Sequence, residues 1–134
     1  MRFAKTLPMV ITSLEDLQVY QRAHAAADAI YAILDRPGWR RERTLRKQMS
    51  ECSDRIPSHI SEGFGQGTDK HCAHFQRIAR GSANEMCAHL RRARRKRLIN
   101  DEECRRWSGE YETIGKMLTQ WIKHLERENR PRRG

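Results

Sequence analysis

The clearest hydrophobic pattern lies near the C-terminus, where Cys104, Trp107, Tyr111, Ile114, Leu118, Trp121 and Leu125 recur at alternating spacings of three and four. Such a seam belongs to one face of a long helix. Asn100 followed three positions later by Glu103 is the pattern of a capping box, and Asp101 and Glu102 add negative charge at the positive end of the dipole. This helix is predicted from about Asp101 to about Glu128. Upstream, Thr68 is placed to cap a second amphipathic segment with Phe75, Ile78, Ala79, Ser82, Met86, Leu90 and Ala93 on one face. Ending near Arg97, it would run about 28 residues, or roughly 42 Å at 1.5 Å per residue.

The first helix is predicted from about Glu15 to Asp35, capped by Ser13 and closed by Pro37-Gly38, with Leu17, Tyr20, Ala23, Ala27, Ile30 and Leu34 turned inward. Between about Arg41 and Phe64, Leu45, Met49, Cys52, Ile56 and Ile60 repeat at helical spacing, yet Pro57 interrupts the backbone ladder. Either the helix kinks there or two helices meet. Gly63, Gly65 and Gly67 then end the segment. No stretch alternates as a half-buried strand does. The reading is an all-α, antiparallel up-down four-helix bundle over residues 14–126, with a flexible N-terminal arm at 1–13 and a basic disordered tail at 127–134.

The chain of 134 residues is one domain's length, and its 37% hydrophobic residues allow only a thin core. A thin core favours elongated helices or an oligomer. No apolar stretch reaches the roughly 18 to 20 residues a membrane span needs. The first thirteen residues hold only a short apolar stretch broken by Pro8, too little for a signal-peptide core. Cys52, Cys72, Cys87 and Cys104 form no C-x-x-C pair, which argues against a zinc ribbon or a redox motif. A cytoplasmic location with reduced thiols is expected.

Charge alters this bland picture. There are 27 Lys and Arg against 17 Asp and Glu, a formal +10, and 21 of the cations are arginine. Residues 1–67 hold 10 basic and 8 acidic side chains, whereas 68–134 hold 17 and 9. Arginine pairs bidentately with phosphate and stacks on bases, so nucleic acid is the expected partner. Arg36, Arg40, Arg41, Arg43, Arg46 and Lys47 gather around the first interhelical turn, and six of the seven positions from Arg91 to Arg97 are basic. At 100° per residue, Arg77, Arg80, Asn84, Arg91 and Arg95 fall opposite Phe75, Ser82, Met86 and Ala93. Arg77, Arg80, Arg91, Arg94, Arg95 and Arg97 are the candidate phosphate contacts, binding with steep salt dependence and little base specificity. Two alternatives compete: a solvated surface that keeps the protein soluble, and an arginine face that docks an acidic protein partner.

Other chemistry is thinly represented. Gly63-Phe64-Gly65-Gln66-Gly67 lacks the lysine of a phosphate loop and the spacing of a dinucleotide fingerprint, and it follows a helix rather than a strand. His71, Cys72 and His74 cluster, and Cys52 or His59 could complete a metal site with them on paper, but a convincing second ligand pair is missing. His59 and Glu62 form a single H-x-x-E pair, and the paired motifs of a di-iron bundle are missing. Ser50, Ser53, Ser58 and Ser61 have no positioned base and acid. No cofactor, no metal and no enzymatic activity are expected.

The second helical segment, Arg55-Ile56-Pro57-Ser58-His59-Ile60-Ser61-Glu62-Gly63-Phe64-Gly65, resembles the S-I-P-S-N-I-A-E-G-F-G signature of the four-helix-bundle proteins encoded by intervening sequences of bacterial 23S ribosomal RNA genes. Leu14-Glu15-Asp16-Leu17-Gln18-Val19-Tyr20 is similar to that family's opening F-E-D-L-x-V-W. Phe75, Ile78, Ala79, Gly81, Ser82 and Glu85 match its F-x-x-I-A-x-G-S-x-x-E. Ile114-Gly115-Lys116-Met117-Leu118 matches its I-G-K-M-L. The resemblance spans about residues 14–125. It implies an antiparallel bundle with Pro57 inside a kinked second helix, assembling as a homopentamer. A related branch, the accessory proteins of diversity-generating retroelements, implies a basic pentamer that binds nucleic acid and a reverse transcriptase; an acidic partner of that kind, or a ribosome-associated factor, is the alternative to nucleic acid. His59, Ser61 and the arginine run 91–97 depart from the family pattern. Within the motif, Ser58 and Ser61 are expected to bond carbonyls freed by the kink, Glu62 to pair with an arginine, and Gly63 to permit close approach.

Overall fold

The computed structural model describes Leu14 and residues 17–128, apart from the side chain of Glu128. The arm at 1–13, the cap Ser13 and the tail beyond residue 128 lie outside the described residues. Four helices follow in order: α1 (Gln18–Leu34), α2 (Arg43–Phe64), α3 (Asp69–Arg95) and α4 (Asp101–Glu128), with a 3-10 turn at Pro37–Arg41 between the first two. Each helix packs on its sequence neighbours, most extensively α3 on α4, and α4 closes back on α1. Cross-links run antiparallel: Arg22 of α1 bonds Glu110 and Arg36, just after α1, bonds Glu103 of α4, while Arg55 bonds Glu85 between α2 and α3. This is the up-down bundle the periodicity predicts.

The core follows the inward faces closely. Leu45, Met49, Cys52, Ile56 and Ile60 of α2 are buried, as are Cys104, Tyr111, Ile114, Leu118, Trp121 and Leu125 of α4. In α3, Ala79, Ser82, Met86, Leu90 and Ala93 turn inward, but Ile78 does not; it is 37% exposed on the outer face. Cys72, Gln76, Ala83, Cys87 and His89 take core positions instead, because the buried arc of α3 spans two neighbours, α2 and α4, and is wider than a single seam. Trp39, in the 3-10 turn, is buried to 1% exposure and plugs the end of the bundle.

The helix ends explain where boundaries differ from the sequence reading. Helix α1 is described from Gln18, after Leu17, which holds an extended N-cap conformation and whose N–H bonds the Leu14 carbonyl at 3.1 Å; the predicted start at Glu15 lies outside the described residues. Helix α2 runs unbroken through Pro57, which decides between the two options in favour of a single proline-containing helix. Thr68 caps α3, its Oγ1 accepting from the His71 N–H at 3.2 Å. Asn100 and Glu103 form the reciprocal box: the Glu103 N–H donates to Asn100 Oδ1 at 2.8 Å and the Asn100 N–H to Glu103 Oε1 at 3.1 Å. Helix α4 runs from Asp101 to Glu128, the bounds that the capping box and the seam predict. Helix α3 stops at Arg95, two residues early, because Arg97 adopts a left-handed conformation with φ of 61°.

At Gly63, α2 and α3 approach each other closely. A Cβ there would stand 2.3 Å from Gln76 Nε2 and 2.8 Å from Phe75 Cβ, so only glycine fits between α2 and α3. The expected roles of Ser58 and Ser61 are not observed: among the described residues neither side chain makes a hydrogen bond, and Ser58 is exposed. The ring of His59 donates from Nδ1 to the Arg55 carbonyl at 2.8 Å instead. Glu62 has no ion-pair partner among the described residues, contrary to expectation. No helix among the described residues is long and apolar enough to cross a membrane.

Candidate nucleic-acid interface

Antiparallel packing brings together two basic clusters that lie about fifty residues apart in sequence. The turn after α1 and the turn after α3 occupy the same end of the bundle, where Lys96 Nζ reaches Glu42 at 3.3 Å and Arg92 donates to Gln48 at 3.3 Å. Residues 35–47 and 91–106, which form this end, hold fourteen Lys and Arg against five Asp and Glu. The formal excess of nine there is nearly the whole +10 of the chain.

Pairing within the end is selective. Arg36 binds Glu103, Arg46 reaches Asp35 at 3.3 Å, and Arg105 reaches Glu102 at 2.8 Å. The hydrogen bond from Arg36 holds the Glu103 carboxyl below its ordinary range and raises Arg36 in turn. The side chains of Arg40, Arg41, Arg43, Arg91, Arg94, Arg95 and Arg97 have no hydrogen-bond or ion-pair partner among the described residues, and all seven residues are exposed. Arg106 lies over the half-buried Trp107 ring, 5.0 Å from its centroid. Across the described residues, only Arg127 is an unbonded arginine away from this end.

The six arginines singled out from sequence therefore separate. Arg91, Arg94, Arg95 and Arg97 belong to the basic end. Arg77 pairs with Glu126, and Arg80 donates to Thr119 Oγ1 at 3.2 Å. Both face the groove between α3 and α4, and Arg77 stands about 25 Å along the helix from Arg94 at 1.5 Å per residue. The face of α3 opposite Phe75, Ser82, Met86 and Ala93 is therefore only partly free, since Arg77 and Arg80 are tied to α4. Arg40, Arg41 and Arg43 were visible in the sequence as a cluster, but only the topology shows that they join the arginine run.

Two other places carry chemistry. A cleft of about 420 Å³ between α1 and α2 is lined by Tyr20, His24, Asp28, Asp54, Ser58 and Glu62 among others, and partial burial raises the Asp54 carboxyl. His71, Cys72 and His74 do not converge: Cys72 is buried against Gln76, while His71 bonds Thr68 and His74 packs on Phe75. A trio the sequence reading missed does converge, namely Cys52 on α2 with Glu85 and His89 on α3, their donor atoms all within 4.8 Å of one another. The i, i+4 spacing of Glu85 and His89 was the available signal, and Cys52 is added only by helix packing. Burial pushes the Cys52 thiol up to about 12, with the Glu85 charge acting in the same direction. All four cysteines are buried and unpaired.

No curated protein matches the chain. A crystal structure of a protein of unknown function from the S23 ribosomal protein family of Bacteroides thetaiotaomicron aligns with a TM-score of 0.72 at 20% identity, covering 78% of this chain and 95% of that one, a likeness of fold. The family model of the 23S rRNA-intervening sequence proteins matches residues 15–120, the segment that contains all four helices almost entire, and the chain belongs to that family.

Proposed function

We propose that this protein is a non-enzymatic, cytoplasmic nucleic-acid-binding bundle that acts as a homopentamer, with the basic end as the surface that contacts the phosphate backbone. The observation that carries the reading is the segregation of charge: fourteen cations against five acids in two turns brought to one end, seven of the arginines exposed and unbonded. A surface selected only for solubility gains nothing from crowding like charges, which repel one another. Guanidinium groups left without carboxylates are the groups that phosphate oxygens satisfy. Five copies would carry five times the formal +10 of one chain, or +50. The outward-facing Ile78, 37% exposed on α3, supports burial against another copy. Arg91, Arg94, Arg95 and Arg97 are the primary contacts with Arg40, Arg41 and Arg43 beside them; Arg77 and Arg80 contribute less because α4 already engages them.

The test is a salt titration with generic RNA and duplex DNA. Six phosphate contacts give a slope of roughly five in log K against log salt on duplex DNA, at about 0.9 per contact. No binding at about 50 mM salt, where such contacts are strong, defeats the reading. Replacing Arg91, Arg94 and Arg95 with glutamate should abolish binding while leaving the helical spectrum unchanged, and an unchanged affinity shows that another face binds. The second reading, an arginine end that docks an acidic protein such as a reverse transcriptase or a ribosome-associated factor, is favoured by a failed titration together with capture of acidic polypeptides. Mass measurement in solution tests the pentamer, which a monomer at micromolar concentration contradicts.

A further inference from the structure

The geometry points to a transition-metal site for Zn²⁺ or Co²⁺ between α2 and α3, formed by the Cys52 thiolate, the Glu85 carboxylate and the His89 imidazole. None of its ligands is among the arginines of the basic end, and it does not depend on nucleic-acid binding. The three donor atoms lie within 4.8 Å of one another. A tetrahedral Zn²⁺ with bonds of about 2.0 to 2.3 Å holds its ligands roughly 3.3 to 3.8 Å apart, so closure requires a shift of about 1 Å. Glu85 can supply that shift: its side chain is 47% exposed and flexible, whereas Cys52 is fully buried and His89 is only 7% exposed. Two rigid, buried ligands with one mobile, exposed carboxylate make a pre-formed half-site with a way in for the ion.

The present hydrogen bonds leave the cluster incompletely satisfied. His89 Nε2 meets Glu85 Oε2 at 3.1 Å, and Arg55 donates to the same oxygen at 3.2 Å. His89 Nδ1 is buried with no partner. The Cys52 thiol donates to the Ser82 carbonyl at 3.2 Å, which fixes the sulfur on the α3 side of its helix. One sulfur, one imidazole and one carboxylate form a donor set suited to Zn²⁺ and Co²⁺ rather than to Mg²⁺ or Ca²⁺, with water in the fourth position. On binding, the thiol proton leaves to solvent, and His89 coordinates through a neutral nitrogen. One divalent ion with one thiolate and one carboxylate is neutral, so Arg55 remains beside the carboxylate without facing an uncompensated cation. The bound ion would join α2 to α3 one turn before Pro57.

Titration of the metal-free full chain with Co²⁺ tests the assignment. The expected result is one ion per chain with an intense sulfur-to-cobalt charge-transfer band, displaced by Zn²⁺, and a higher melting temperature in Zn²⁺. Cys52→Ser should remove the band, and Glu85→Gln should weaken binding by about tenfold or more. Absence of the charge-transfer band, or its survival in folded Cys52→Ser, overturns the site. Should Cys52→Ser fail to fold, the exposed Glu85→Gln decides: unchanged Co²⁺ affinity overturns the proposal, and a tenfold loss upholds it.

Discussion

Replacing Arg97 with glycine should make the protein more stable and a poorer ligand for nucleic acid. Arg97 ends α3 in a Schellman arrangement: its own N–H bonds the Arg94 carbonyl at 2.9 Å, and the Leu98 N–H bonds the Ala93 carbonyl at 2.9 Å. The geometry places Arg97 at the position where glycine is strongly favoured, with φ of 61°. A left-handed conformation costs an L-residue roughly 1–2 kcal/mol, and glycine returns about 0.5–1 kcal/mol of that through its greater freedom in the unfolded chain. The net gain is about 0.5–1 kcal/mol, a rise of about 2–5 °C in Tm for a domain of this size. Melting of Arg97→Gly, Arg97→Lys and the parent at one fixed protein concentration measures it, since an oligomer's Tm depends on concentration. In the nucleic-acid titration, Arg97→Gly should lower the salt slope by about 0.9, and Arg97→Lys should change neither stability nor slope much. A glycine variant that melts lower would refute the strain argument. One that melts higher with an unaltered slope would remove Arg97 from the phosphate contacts.

Gly63→Ala should destabilise the bundle by about 1–3 kcal/mol, the range for overpacking, because its Cβ meets Phe75 Cβ and the Cys72 carbonyl as well as the movable Gln76 amide; an unchanged urea midpoint would contradict the close approach of α2 and α3. Tyr111→Phe should be neutral or stabilising by up to about 1 kcal/mol, since the buried Tyr111 hydroxyl has no hydrogen-bond partner; a loss above that size in denaturant melts would reveal an acceptor. Glu103 titrates below its ordinary value of 4.5 in the folded protein, chiefly through its bond from Arg36. A depressed folded value means its contribution is present above the unfolded pKa and fades as pH falls through the folded one. Glu103→Gln should therefore flatten the acid limb below about pH 4.5 while Asp54, raised by burial, opposes it; equal acid limbs in the two proteins would dismiss the pair as a source of stability.

The helices were legible because three independent signals agreed in α4: the seam, the capping box and the first-turn acids all lie where the sequence places them. Ile78 shows where periodicity alone fails. Its spacing fits the apolar face of α3, yet a helix between two neighbours buries an arc centred elsewhere, and Cys87 and His89 occupy the rest. The end of α3 was misplaced because a left-handed arginine gives no sequence sign of the kind glycine gives. The site was half legible. Each basic cluster stands out in the chain, but their union at one end depends on the direction of four helices, and the pairing of Arg77 with Glu126 depends on which residues of α4 face it.

The distribution of pairing says more than net charge. Carboxylates engage Arg22, Arg55 and Arg77 along the helix flanks, where each bond joins two helices. Exposed pairs of this sort contribute only about 0.2–1 kcal/mol each, so their value lies as much in neutralising flanks as in holding them. At the end, Arg94, Arg95 and Arg97 remain without carboxylates although Asp101, Glu102 and Glu103 follow within a few residues. Those acids instead complete the start of α4, where the capping box and the dipole favour them. The dipole at the C-terminus of α3 offsets some of the repulsion among Arg92, Arg94 and Arg95, but it falls off within a turn and does not reach Arg40, Arg41 or Arg43. A cluster of uncompensated arginines, one of them with φ of 61°, is a local cost that folding does not require, and an anionic ligand supplied from outside is what would offset it.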